Sequence, residues 1–488
     1  MNKPPQAVAI LLTTSLLIYS FCSRAAGQAA EPGAQEPQSS PPPEAVPSPV
    51  KPPEPAAGED RKFSLVSANS SLIPVSDYRG GFWNRRAMTG DWGGARQTLL
   101  EDGITTDVSV TQILQGNAYG GLQTRNGLQY SGSADYYFTL DTGRAGLWPG
   151  GLFKVHGQTE FGRGVNRKVG ALLPVNYQAL LPVPGEPGET TLSEVYLMQA
   201  LSKYLVVTAG KWNPQTFGDT NVFANNQQSQ FLNTGLVNNP VLFPFLPYTT
   251  IGALLAIMPL GTDDLVIGPF IGGTTGAANQ TGFNTWLEQP YGTTVGGEVD
   301  VKVRPFELPG NIRLGGVWSN KHFLDLAQDR RLLLEDLILD RPPETVDGSY
   351  ALYGNFDQYF YMEDEETKQG LGLFGRLGFA PQRTNVVNWF YSLGVGGKGV
   401  VPRRDDDTCG VGYYFTEVSN DFTKGPILPN LNPEQGIELF YNIQITPWMR
   451  LTPDLQCIVN PAVASMLPRR AADERFSLVL GGRLQMEF

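Results

Sequence analysis

Apolar and polar residues alternate with a period of two along most of the chain after Ile104. In the segment 151–162 one side is polar throughout, formed by Lys154, His156, Gln158 and Glu160. The segment 292–304 sets valines against a charged row, formed by Glu298, Asp300, Lys302 and Arg304. A period of two predicts β-strands. A strand with one apolar face and one charged face suits a barrel that is apolar toward lipid and polar toward a water-filled lumen.

Sixteen segments show this alternation or are long enough to cross a membrane as a tilted strand. We predict strands at 104–114, 127–140, 151–161, 191–200, 203–211, 249–260, 265–273, 292–304, 312–319, 350–361, 370–380, 388–400, 409–418, 435–444, 448–458 and 475–488. The expected fold class is therefore all-β: a transmembrane antiparallel β-barrel of about sixteen strands.

The links between these segments alternate in length. Each even-to-odd link is short, for example 261–264 and 446–448, whereas odd-to-even links include much longer stretches such as 162–190 and 212–248. Short periplasmic turns that alternate with long outer loops are typical of outer-membrane barrels. The last segment ends on Phe488. Its apolar parity is expected to face lipid, with Arg483, Gln485 and Glu487 toward the water channel, and we expect it to pair with the first strand and close the barrel.

The N-terminal region divides into segments that do not resemble the barrel. Lys3, the apolar run 7–21 and the small residues that follow predict a secretory signal peptide over residues 1–27. Residues 28–80 are expected to form a disordered tether, since 28–61 are rich in Pro, Ala and Glu. The barrel domain is predicted at 81–488. Within it, 89–103 is expected to form a short periplasmic helix, capped by Asp91 and ended by Gly103.

Composition and motifs argue against several functions. The net charge of −11 argues against a nucleic-acid partner. The chain has only two histidines, His156 in a lumenal row and His322 in the predicted loop 320–349. The glycines at 370–375 match the dinucleotide-binding pattern G-x-G-x-x-G. They are followed by a predicted strand rather than a helix, so they predict no dinucleotide site. The acidic run 405–410 lacks the spacing of a calcium loop. We therefore expect no enzyme, no cofactor and no metal site.

Two cysteines, Cys409 and Cys457, follow the signal peptide. Their separation along the predicted strands favours two independent thiols, buried or lumenal, over a disulfide.

A channel is the remaining interpretation. Sixteen strands leave an aqueous lumen, and selectivity then depends on lumenal charges and on loops that fold inward. The loops near 162–188 and 210–240 are the candidates, the second being rich in Asn, Gln and aromatic residues. The predicted pore-lining and sugar-contacting residues are Lys154, His156, Gln158, Glu160, Arg163, Arg167, Lys168, Glu298, Asp300, Lys302, Arg304 and Arg376.

Five stretches resemble the carbohydrate-selective porins of the Gram-negative outer membrane, the glucose-porin (OprB-like) family. They are TGDWGGARQTLLEDGITTDVSVT (89–111), GKWNPQTFGDTNVFANNQQSQFLN (210–233), GLFGRLGF (372–379), RRDDDTCGVGY (403–413) and TPDLQCIVNP (452–461). The resemblance implies a sixteen-stranded barrel in the outer membrane whose inward loops form a charged constriction. It implies passive diffusion of glucose and related sugars, and a terminal Phe488 read by the barrel-assembly machinery.

The expected partners are small sugars, outer-membrane lipid and lipopolysaccharide, the assembly machinery and, through the tether, peptidoglycan. Three alternatives stay open at this point. Within transport, the runner-up is a general or anion-preferring porin, since basic residues lie near the start of the first long loop. From other classes, an outer-membrane hydrolase and a structural barrel that tethers the envelope remain.

Overall fold

The computed structural model describes residues 72, 76–181, 188–274, 292–328, 343–423, 431–466 and 473–488. These residues form sixteen antiparallel strands in one closed barrel, in which every strand pairs with its neighbours in sequence. The strands are β1 Ile104–Gly121, β2 Leu128–Asp141, β3 Gly151–Gly162, β4 Thr190–Ser202, β5 Leu205–Trp212, β6 Thr250–Ile257, β7 Leu265–Gly273, β8 Thr293–Val303, β9 Gly310–Leu324, β10 Thr345–Asp364, β11 Gln369–Phe379, β12 Val387–Lys398, β13 Thr408–Val418, β14 Glu434–Thr446, β15 Met449–Val459 and β16 Asp473–Glu487.

The barrel closes where the chain ends, as predicted. β1 pairs with β16 in a register that places Ser109 opposite Glu487. Beyond the last strand, the Phe488 N–H donates to the Val108 carbonyl at 2.8 Å. Because closure satisfies the backbone groups of both terminal strands, the sheet has no free edge in the membrane.

Turn lengths follow the predicted alternation. β4 and β5 are joined by two residues and β14 and β15 by two, whereas residues 163–189 and 213–249 connect β3 to β4 and β5 to β6. The end with short turns faces the periplasm in barrels of this kind. The short helices of the described residues are α1 Ala95–Glu101, α2 Asn166–Val169, α3 Thr234–Val237, α4 Asn420–Thr423 and α5 Ala462–Met466. None of the helices among those residues is long and apolar enough to cross a membrane.

The predicted N-terminal helix is shorter than expected. A 3₁₀ turn at Trp92–Gly94 precedes α1. The Asp91 carboxylate still serves the helix, because its Oδ1 accepts the Gln97 N–H at 3.0 Å. Gly103 ends it with φ 82°, and a Cβ there would lie 2.6 Å from the Asp141 carbonyl oxygen. Only glycine tolerates both constraints.

α1 is fastened to the two strands that close the barrel. Arg96 is buried, and its Nη2 donates to Asp107 Oδ1 at 2.9 Å and to the main-chain oxygen of Phe488 at 3.1 Å. Its guanidinium lies 3.6 Å from the centre of the Tyr78 ring. Burial, with help from the Asp107 charge, raises the pKa of Tyr78 to about 12. Packing around the helix therefore already includes Tyr78, ahead of the domain boundary expected at 81. The predicted signal peptide and nearly all of the predicted tether lie outside the described residues.

Each strand has an inner and an outer face, and the aromatic residues of the clusters 389–391 and 413–415 divide between these faces. Trp389 and Tyr391 point outward and are exposed, whereas Phe390 between them is buried in the lumen. Tyr414 is likewise buried. Aromatic girdles are typical of the membrane interfaces of such barrels. A girdle here includes only part of each cluster, because side chains alternate across a strand.

Two expectations about single residues were wrong. Cys409 and Cys457 are free thiols as predicted, but they are partly exposed and take the outward parity of β13 and β15. They are therefore neither buried nor lumenal. His322 belongs to β9 rather than to a loop, and it contacts Asp347 of β10.

Candidate functional site

The described parts of the loops 163–189 and 213–249 fold into the barrel, as the sequence predicted. Their apolar side chains Val175, Phe231 and Leu236 are fully buried. They pack against inward side chains of the wall, including Phe374, Phe390, Tyr414, Phe440 and Ile458. The lumen is therefore partly filled by a second hydrophobic core, built between the loops and the wall.

One side of the loop 213–249 is fixed by Arg376 of β11. The Arg376 Nε donates to Asp219 Oδ2 at 3.0 Å, and its Nη1 donates to the Leu236 carbonyl at 2.7 Å. The Asp219 N–H in turn donates to Glu298 Oε2 of β8 at 2.8 Å. A single guanidinium therefore joins two distant points of the loop to the wall.

The opposite side is fixed by β14 and β16. Glu438 accepts the N–H groups of Leu232 and Asn233 at 2.6 and 2.8 Å. Arg483 donates to the carbonyls of Gln227 and Gln230 at 2.9 and 2.8 Å. Arg483 was expected to face the water channel. It does point inward, but it is fully buried because the loop covers it.

Glycines in the wall make room for the loop. A Cβ at Gly372 would lie 2.2 Å from the Phe223 ring, and one at Gly396 would lie 2.6 Å from the same side chain. Distances below 3 Å require a displacement, so Phe223 fits only because β11 and β12 carry glycine there.

The predicted row on β3 faces the lumen and takes part in an ion-paired network. His156 is buried, with Nε2 2.9 Å from Asp135 Oδ1 and Nδ1 3.3 Å from Glu194 Oε2. Lys154 lies 3.5 Å from Glu194. The Gln158 amide donates to Asp135 at 2.8 Å. Glu160, near the outer end of the same strand, is also buried.

This network includes two carboxylates that the sequence reasoning did not select. Asp135 lies on the inward parity of β2 and Glu194 on β4, beyond a register shift at His156. The parity of Ser131, Ser133 and Asp135 was a usable signal. Glu194 shares the inward parity of Tyr196 and Met198, so no polar row in the sequence marks it.

The predicted row on β8 divides into three environments. Glu298 contacts the loop and accepts the Tyr353 hydroxyl at 2.9 Å. Asp300 lies 3.2 Å from Arg313 of β9. Lys302 pairs with Asp263 in the short turn before β7.

The remaining predicted residues lie at the two ends of the barrel. Arg304 follows β8 and forms an exposed pair with Glu365 at 2.9 Å, at the short-turn end. Arg163 and Arg167 are exposed at the start of the outer loop 163–189. Lys168 donates to Gln123 at 2.7 Å in the neighbouring outer loop.

Asn225–Gln230 form the amide tract, a polar part of the inward loop that remains accessible to water. The tract meets the β2 wall, where Gln228 Nε2 donates to Asp135 Oδ2 at 2.9 Å. Gln230 Oε1 accepts the N–H groups of Asn225 and Asn226. The tract is thus held in place by its own backbone and by the wall, and it exposes neutral amides.

The two histidines are held by contacts with carboxylates. Within the described residues, no three His, Cys, Asp or Glu side chains converge as a metal site would require. Both ring nitrogens of His156 contact carboxylates, and His322 also contacts one. What the geometry provides is a wide barrel with a water-accessible polar surface inside it.

Comparisons with known proteins agree with this geometry. Residues 125–488 match the family described as carbohydrate-selective porin, OprB family. Porin B of Pseudomonas aeruginosa is 24% identical over 413 residues, which cover 78% of this chain and 87% of that protein. A putative porin, QuiX, of Acinetobacter baylyi is 21% identical over 463 residues, covering 82% and 94%.

The fold has a counterpart of known structure. The high-pH structure of Pseudomonas putida OprB superimposes with a TM-score of 0.71 at 20% identity, covering 84% of this chain and all of that one. The predicted fold class, family resemblance, outer-membrane location and sugar-selective function are thereby confirmed. This chain belongs to the carbohydrate-selective porin family and forms a sugar-selective β-barrel channel of the outer membrane.

Proposed function

We propose that sugars pass along the amide tract and that Asn225 and Gln227 contact them directly. The observation that carries this proposal is a difference in exposure between the charged side chains and the amide side chains inside the barrel. The charged groups Arg376, Arg483 and Glu438 are fully buried and bonded to the loop, whereas every residue of the amide tract is partly exposed.

Neutral amides suit neutral polyols. An amide donates and accepts hydrogen bonds, as a sugar hydroxyl does, whereas attraction of ions requires accessible charge. Asn225 and Gln227 are the best candidates because they lie in the tract with partly exposed side chains. The amide groups of Gln228 and Gln230 already bond to Asp135 and to the Val222 carbonyl.

The predicted rows contribute to this path in a supporting role. In this proposal His156 and Gln158 orient Asp135, which holds Gln228 and thereby the tract. Lys154 pairs with Glu194, which contacts the other ring nitrogen of His156. Glu298 and Asp300 line the wall below the loop. Arg163, Arg167 and Lys168 belong to the outer mouth, where they meet solutes before the narrow part.

The test is single-channel conductance in planar bilayers with glucose titrated in, together with liposome swelling in glucose. The N225A/Q227A variant should lose much of the sugar block of the current while its ion conductance is retained or rises. Q382A, which removes a partly exposed amide from the outer loop 380–386, is the matched control. Equal sugar block in all three proteins would contradict the role of the tract.

We further propose that transport is passive diffusion without catalysis. The contacts of both histidines with carboxylates, rather than with a nucleophile, support this. Incubation of the purified protein with di- and oligosaccharides should leave them intact. A reversal potential near zero in a KCl gradient is also expected, and a strong anion preference would favour the general porin instead.

The remaining partners and boundaries are proposals of the same kind. We propose cleavage after residue 27, a tether from 28 to about 80 that reaches peptidoglycan, and lipopolysaccharide around the outer mouth. The composition of 28–61 supports the tether. Mass spectrometry of the mature protein checks the cleavage site. A murein pulldown that is unchanged by deletion of 28–61 would contradict the peptidoglycan contact.

A further inference from the structure

The segment 76–101 precedes β1 and lies at the periplasmic mouth of the barrel. The Tyr78 hydroxyl donates to Asp107 Oδ1 at 2.6 Å, and Asp107 shares the parity of the buried, inward residues of β1. On the other closing strand, the main-chain oxygen of Glu487 accepts the Met88 N–H at 2.8 Å. The segment is therefore held against the inner side of both closing strands, at the periplasmic end of the lumen.

Arg86 of this segment is partly exposed, and the contacts that hold its side chain are neutral. Its Nη1 donates to the Ser76 hydroxyl, and its guanidinium carbon lies 5.6 Å from the centre of the Tyr78 ring. These contacts position the guanidinium without neutralising it. The charge of Arg86 acts on Glu487 and Arg450 of the wall. Arg86 thus places a positive charge at the periplasmic end of the lumen.

A polar wall connects the amide tract with this end of the barrel. In the tract, the Ser229 carbonyl accepts from Asn442 Nδ2 of β14 at 3.0 Å. On the next two strands, Arg450 Nη1 donates to Gln485 Oε1 at 3.3 Å. Gln485 Nε2 in turn donates to Glu487 Oε1 at 3.1 Å. The wall formed by β14, β15 and β16 is therefore polar from the tract down to Glu487.

The charged groups at the mouth differ in exposure. Arg96 and Arg450 are buried and bonded to the wall, and Asp107 pairs with Arg96 at 2.9 Å. Arg86 and Glu487 are partly exposed. A solute that follows the polar wall therefore meets one exposed charge of each sign.

We propose that Arg86 is a selectivity residue of the periplasmic exit, where its charge opposes the attraction of cations by Glu487. Exposed carboxylates in a pore favour cations, and exposed guanidinium groups favour anions. With both signs present, neither ion is favoured, and neutral solutes pass. This role rests on the proposed passage of solutes along the amide tract. Sugar block reports on the tract, whereas ion selectivity reports on Arg86, so either can fail without the other.

The reversal potential of the full mature protein in a KCl gradient across a planar bilayer tests this role. R86Q should raise the permeability ratio of K⁺ to Cl⁻, and E487Q should lower it. R86Q/E487Q should return the ratio toward that of the wild type. The shift in R86Q should shrink between 0.1 and 1 M KCl, because the Debye length falls from about 10 to about 3 Å.

R79Q is the matched control. It removes the same charge from the same segment, but Arg79 is exposed and pairs with Asp77 at 2.9 Å. R79Q should therefore leave the permeability ratio unchanged. An unchanged ratio in R86Q, or an equal shift in R79Q, would overturn the proposal.

R86K separates the charge of this residue from its contacts. It keeps the positive charge and loses the planar guanidinium that contacts Ser76 and Tyr78. R86K should keep the wild-type permeability ratio, and heat-dependent mobility on SDS gels verifies that each variant forms a folded barrel. A ratio in R86K that equals the ratio in R86Q would assign the effect to packing of the segment and refute a role of the charge.

Discussion

Arg376 and Asp219 form a buried ion pair between the barrel wall and the inward loop, with 3.0 Å between Nε and Oδ2. The Arg376 side chain is completely buried and Asp219 nearly so. Because Arg376 also holds the Leu236 carbonyl, the pair fixes both ends of the segment that carries the amide tract. The shape of the channel therefore depends on a contact that solutes do not touch.

Replacement of Arg376 by methionine should be strongly destabilising. Removal of one partner leaves a buried charge without compensation, which typically costs about 3–5 kcal/mol. We expect the midpoint of urea unfolding to fall and the single-channel current to become noisier as the loop is released. R376M/D219N should recover part of the loss.

The exposed pair of Arg304 and Glu365 provides the control for that measurement. Its two side chains are 55% and 59% exposed, and solvent screens exposed pairs so that they contribute little to stability. R304Q should therefore leave unfolding nearly unchanged. A loss of stability in R304Q as large as that in R376M would show that burial is not the cause.

Gly372→Ala tests the close approach of loop and wall. The added Cβ would lie 2.2 Å from the Phe223 ring, and overpacking of this kind costs about 1–3 kcal/mol. Urea unfolding should detect this cost, and the displaced loop should alter the conductance. Gly81→Ala is the matched control, since nothing lies within 4 Å of its added Cβ. A stability of G372A equal to that of G81A would contradict the packing described here.

The strands were predictable because their signal is local. Alternation at a period of two fixes which residues face inward, and the final strand shows this clearly: Arg483 and Gln485 point inward as expected. The links added an independent signal, since their lengths alternate along the chain. Boundaries were less accurate, for example at β10, which begins five residues before the predicted start.

The function of the inward residues was not predictable in the same way. Asp219 and Arg376 are 157 positions apart, and Leu232 and Glu438 are 206 apart. Parity places Arg376 and Arg483 in the lumen, but it contains no information about the loop that covers them. Residues expected to meet solutes therefore serve as anchors, and the neutral amides between them remain accessible.

Acidification should loosen the outer loops at Asp325. Arg383 Nε lies 3.0 Å from Asp325 Oδ1. Hydrogen bonds from Arg383 lower the pKa of Asp325 below its usual value. Because the pKa of Asp325 is lower in the folded protein, this contact stabilises the fold fully at a pH above the pKa of the unfolded chain, about 3.9. The stabilisation is lost as the pH falls through the pKa of the folded protein.

A fluorescent probe on Q382C, next to Arg383, should show increased mobility as pH drops below about 4, measured by anisotropy. The cysteines Cys409 and Cys457 are replaced by serine in this protein. D325N should show high mobility at neutral pH and no further step in acid. A step of equal size in D325N would assign the transition to another group.

Deletion of Phe488 should reduce assembly more than conductance. The Phe488 N–H bonds to Val108 at 2.8 Å, and its main-chain oxygen accepts from Arg96 at 3.1 Å. The last residue thus joins the closing strand to β1 and to α1, at the short-turn end and away from the amide tract. We expect less heat-modifiable barrel in outer-membrane fractions but a wild-type unit conductance from the barrels that form.

R96Q separates the two roles of Phe488, because it removes the contact of Phe488 with α1 while the terminal aromatic side chain is kept. If R96Q assembles normally and the deletion does not, the aromatic side chain is the assembly signal; equal losses in both would show that closure against α1 limits assembly instead.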